Sequence, residues 1–163
     1  MTVPFTSIRA LCRTIDTRAL LVATVRAFIV FVIMDMSLEY LWDMLFSIRV
    51  KSLLPQIDYD ILFTTIYFTL IFAGLFIVHF TFAAVRPFFA RYTTAAVWVG
   101  VLYFMFTGLL LLQFLNMNIL SLQLFLIIGI SNMLELPPTL WMGCATYVRL
   151  TDTSNGDTRT SSH

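Results

Sequence analysis

The residues with the most chemical potential in this chain sit inside its last hydrophobic stretch, Ile119 to Val148. There Asn132 and Glu135 precede the pair Pro137–Pro138, within a run otherwise apolar enough to cross a bilayer. An ionisable side chain at membrane depth costs about 2.5–3.5 kcal/mol on insertion scales, so its presence calls for a function or a structural partner. The prolines remove two backbone donors and free the carbonyls of Met133 and Leu134, which predicts a helix kink at Pro137 and Pro138. Two roles fit this group. Glu135 can exchange protons in a broken helix of the transporter kind, or Ser131, Asn132 and the carboxyl can satisfy the freed carbonyls.

Other candidates lie in earlier segments. Asp35, Glu39 and Asp43 recur at every fourth position, which lines three carboxylates along one helix face. They are expected to form the water-facing side of an interfacial helix whose opposite side carries Leu38, Leu41, Trp42 and Leu45. His79 stands alone in the second span, either as a proton relay or as a polar group satisfied between helices. Arg26 lies eight residues beyond Arg18, roughly 12 Å deep, within reach of the head groups by snorkelling.

Enzyme and cofactor chemistry finds no support in the residue pattern. The chain has no nucleophile elbow, zinc-protease motif, phosphate-binding loop or paired-aspartate metal signature. Cys12 and Cys144 are far apart, and His79 and His163 are the only histidines, so neither metal ligation nor haem or thiol redox chemistry is expected. The formal net charge of +1 gives no field for nucleic acid.

The elements that must position these residues follow from composition. Of 163 residues, 60% are hydrophobic and 12% charged, about half the charged share of a soluble domain. Such a chain buries its apolar surface in lipid. The expected fold is all-α: a polytopic membrane protein, one domain over residues 1–150, built as a four-transmembrane-helix bundle. The spans are predicted at about 19–37, 61–85, 93–114 and 119–148, with a disordered polar tail at 151–163. Residues 5–18 read as a short N-terminal amphipathic helix, with Phe5, Ile8, Leu11 and Ile15 on one side and Arg9 and Arg13 on the other. The interfacial helix after span 1 is expected to end before Pro55.

Charge placement orients the bundle. Arg9, Arg13, Arg18, Arg26, Arg86, Arg91, Arg149 and Arg159 fall on one side, against Arg49 and Lys51 on the other. The positive-inside rule then places both termini in the cytoplasm, most simply of a bacterial inner (plasma) membrane. By the 1.5 Å rise per residue, Glu135 is roughly 21 Å and Asp35 roughly 26 Å from that boundary, while Arg26 and His79 share a lower level.

Function is expected to be non-enzymatic: an accessory, assembly or immunity-type partner of another membrane protein, or a homo-oligomer in the lipid bilayer. The alternative is a small proton-coupled carrier or channel subunit centred on Glu135.

Overall fold

The computed structural model describes residues 15–46, 61–117 and 121–160, and all the regular structure in them is helical. Four long helices run in order: α1 Thr17–Phe46, α2 Ile61–Val85, α3 Tyr92–Asn116 and α4 Leu122–Thr160. A 3-10 turn, Arg86–Phe88, joins α2 to α3. Each long helix holds a segment apolar and long enough to cross a membrane, namely Thr17–Leu45, Thr64–Phe88, Tyr92–Asn116 and Leu122–Asp152.

Local chemistry sets the helix ends. Asp16 starts α1 by accepting hydrogen bonds from the N–H groups of Arg18 (2.9 Å) and Ala19 (3.0 Å), satisfying two donors that have no partner within the helix. Ser121 serves α4 in the same way through the Leu124 N–H at 3.2 Å. Arg91 begins α3 without any side-chain cap. Pro87, which cannot donate to a continuing helix, falls in the first residues of the 3-10 turn.

Two boundaries differ from those expected. Span 1 does not stop at Ser37: α1 continues unbroken to Phe46, so Asp35, Glu39 and Asp43 share one helix with the membrane span. The reason is local, since Thr17–Phe46 contains neither glycine nor proline and propagating a formed helix is far easier than starting a new one. At the other end, α4 runs on to Thr160, beyond the expected end of the span at residue 148. The Thr151 hydroxyl donates back to the carbonyls of Tyr147 and Val148 at 3.0 Å. The amphipathic helix expected at 5–18 falls largely outside the described residues, as do the segment around Pro55 and positions 161–163.

The helices pack in cyclic order, with α1 between α2 and α4 and with α3 facing α4 and α2. The closest partnership is α1 with α4. Ala19, Ala23 and Ala27, one turn apart, are buried. Small side chains at such spacing let two helices approach closely, the main source of packing energy between helices in lipid. The densest packing lies at the arginine-rich end. There Leu20, Phe82, Ala83, Ala95, Cys144 and Tyr147 join one buried cluster, with the rings of Phe82 and Tyr147 edge to face at 6.2 Å. Phe28 adds edge-to-face contacts with Phe68 and Phe72 at 6.0 and 5.6 Å. Most hydroxyls within the spans bond to their own backbone. Thr24 donates to the Leu20 carbonyl at 2.9 Å, and Thr69 and Thr81 each reach the carbonyl four residues back, so they add little polarity between helices.

Candidate functional site

The fourth helix presents Glu135, Thr139, Gly143 and Tyr147 at intervals of four, which places them on one face. All four are buried. Glu135 is only 2% exposed and points into the bundle. Asn132, a turn earlier, is half-buried, while Pro137 and Pro138 lie on the exposed side. The helix is continuous through both prolines. Met133 and Leu134, whose carbonyls the prolines deprive of donors, are 59% and 50% exposed.

Polar groups of α1 and α2 act on one another at the level of Glu135. Asp35 of α1 is half-buried and interacts electrostatically with Glu135. Tyr67 of α2 lies within the field of both carboxylates, of Glu39 and of Tyr103 on α3. The Tyr103 hydroxyl also reaches the backbone of α2, 3.5 Å from where a side chain on Gly74 would begin. Among the described residues, Asp35 is the one charged group that acts appreciably on Glu135. Among the described residues, no arginine or lysine acts appreciably on this pair of carboxylates. Next to it, the indole N–H of Trp42 donates to the Ser131 hydroxyl at 3.0 Å. Ser131 therefore ties α1 to α4, a role different from the one expected of it beside the freed carbonyls.

His79 stands apart from this cluster, toward the arginine-rich end. It is fully buried, and neither ring nitrogen forms a hydrogen bond of good geometry, although the Leu75 carbonyl on its own helix faces the ring. The ring sits against Gly143, crossing the diagonal of the bundle from α2 to α4. One turn along α4, the Thr139 hydroxyl is also buried without a partner. Arg26 does not join His79: it is on the exposed side of α1, facing away from the bundle. Asp43 is exposed and Glu39 half-exposed at the far end of the same helix.

The sequence reading passed over Tyr67, Tyr103, Thr139 and Gly143. The four-residue spacing of Glu135, Thr139, Gly143 and Tyr147 is a signal that could have found two of them. The tyrosines are separated from the carboxylates by tens of residues, and only the packing of α2 and α3 joins them. Among the described residues, no cluster of three or more His, Cys, Asp or Glu side chains could hold a metal ion. No protein family, curated protein or solved structure matches the chain.

Proposed function

We propose that this chain is a non-enzymatic multi-pass membrane subunit of an accessory, assembly or immunity type, which docks its helices against another membrane protein. Its setting is a bacterial inner membrane with both termini cytoplasmic, supported by the eight basic residues on one side against two on the other. The observation that carries the docking role is the open space at two glycines, Gly108 on α3 and Gly129 on α4. Gly108 and Gly129 each have nothing within 4 Å of a side-chain position. Both lie eight residues from the turn between the two helices, roughly 12 Å deep. Glycines that the chain's own bundle leaves uncovered are where another helix approaches most closely. Helix α3 is also the least enclosed span, with 17% of its apolar window buried against 33% for α1 and α4. Extraction in mild detergent followed by native mass analysis tests this reading. A stoichiometric complex is expected, and a lone monomer at all protein concentrations contradicts it.

A second reading is favoured by one observation of its own, the inward pair Asp35 and Glu135. In it the subunit is a proton-coupled carrier or channel component, and Glu135 takes up and releases the proton. Liposomes carrying the purified protein then show a proton-driven flux that Glu135→Gln abolishes. A flux unchanged by that substitution removes Glu135 from the mechanism.

A further inference from the structure

At the arginine-rich end, a cavity of about 780 Å3 opens between the α2–α3 connection and the last part of α4. That volume lies within the roughly 300–1,000 Å3 of small-ligand sites. It is lined by the apolar Ala83, Phe89 and Val148 together with Arg86, Arg91 and Tyr92. Arg86 is held in place: one guanidinium nitrogen donates to the Thr151 hydroxyl at 2.9 Å and another to Asp152 at 3.0 Å. Asp152 offsets the charge of Arg86 and leaves Arg91 as the net positive charge of the lining. Arg91 is exposed and forms no ion pair among the described residues.

We propose that this cavity binds a phosphate group, and that its natural source is the head group of an anionic phospholipid. Three features meet at one place: a partly open cavity, an exposed arginine with no ion pair among the described residues, and a position at the boundary of the apolar spans. Arg86 uses two of its five N–H donors on Thr151 and Asp152, so the others remain for a phosphate oxygen. Basic pockets between membrane helices on the cytoplasmic side select anionic head groups by this chemistry. The apolar part of the lining suits the glycerol and first methylenes of a lipid better than a free, fully hydrated ion. The site does not depend on which functional reading above is correct.

The test uses the full chain in detergent, titrated with phosphatidylglycerol, phosphatidylcholine or inorganic phosphate, with bound lipid read by native mass spectrometry. Phosphatidylglycerol is expected to bind in preference to phosphatidylcholine. Arg91→Gln should weaken it about five-fold, given the usual worth of one basic residue at a charged surface. Ala90→Trp, which fills the exposed rim without changing charge, should weaken it as well. Asp152→Asn releases Arg86 and should strengthen binding, an outcome that loss of fold does not imitate. Equal binding of the two lipids, or anionic binding unmoved by both Arg91→Gln and Asp152→Asn, overturns the proposal. Displacement of the lipid by millimolar inorganic phosphate upholds the phosphate site but assigns it to the free ion.

Discussion

The imidazole of His79 lies directly on the backbone of Gly143, so that α2 and α4 touch across the diagonal of the bundle. A methyl group on Gly143 would overlap Nε2 and fall 2.6 and 2.7 Å from Cε1 and Cδ2. Only glycine leaves room for the ring there. Overpacking a tight interior costs about 1–3 kcal/mol, and a buried ring on a helix has little freedom to move aside. Gly143→Ala is therefore expected to lower the thermal midpoint in detergent clearly. The double variant with His79→Ala should recover most of the loss, because residues in contact are not additive. A Gly143→Ala protein that melts like the wild type would show that the ring is not seated on α4.

The buried alanines of α1 make an independent prediction. Ala23 and Ala27 are fully buried, and a larger side chain at either has no free space within the core. Ala23→Leu should destabilise by about 1–3 kcal/mol. Val25→Leu, on the exposed side of the same helix, should stay within about 0.5 kcal/mol. Equal melting of the two variants would contradict the assigned face.

The Trp42–Ser131 hydrogen bond should be real but small. Interhelical hydrogen bonds in membrane proteins average about 0.6 kcal/mol in double-mutant cycles. A cycle of Trp42→Phe and Ser131→Ala is expected to give a coupling of that order. A coupling of zero would place the indole elsewhere.

Pro137 and Pro138 face outward from α4, so replacing them disturbs no interior packing. The double variant to alanine restores the two backbone donors opposite Met133 and Leu134 and should raise the thermal midpoint, since an interior proline costs about 3 kcal/mol in an ordinary helix. A lower midpoint would mean that the prolines contribute to packing against a partner.

The sequence carried the architecture well, and the site only in part. Runs of apolar residues bounded by arginines and turns mark all four membrane-crossing helices, because lipid requires each backbone to bond within its own segment. The continuation of α1 to Phe46 was hidden by the carboxylates of Asp35, Glu39 and Asp43. They read as a surface element although nothing in the backbone ends the helix there. Glu135 stands out in sequence because any acid at that depth is unusual. Its surroundings do not: the face of α1 that turns inward, marked by the buried Ala19, Ala23 and Ala27, leaves Asp35 half-buried and Arg26 exposed. Tyr67 comes within the field of the carboxylates, and Tyr103 beside Tyr67, only through the packing of helices that are distant in sequence.

The most direct test of the docking role is photo-crosslinking from beside Gly108 and Gly129 in intact membranes. A photoreactive residue at Leu109 or Ile130, both exposed beside the uncovered glycines, should yield one discrete protein adduct. The same residue at Val25 on α1, also exposed, should yield lipid alone. Gly129→Leu, which fills the open space there, should abolish the adduct while leaving the thermal midpoint unchanged. Equal crosslinking from beside the glycines and from Val25, or an adduct that survives Gly129→Leu, would contradict the account.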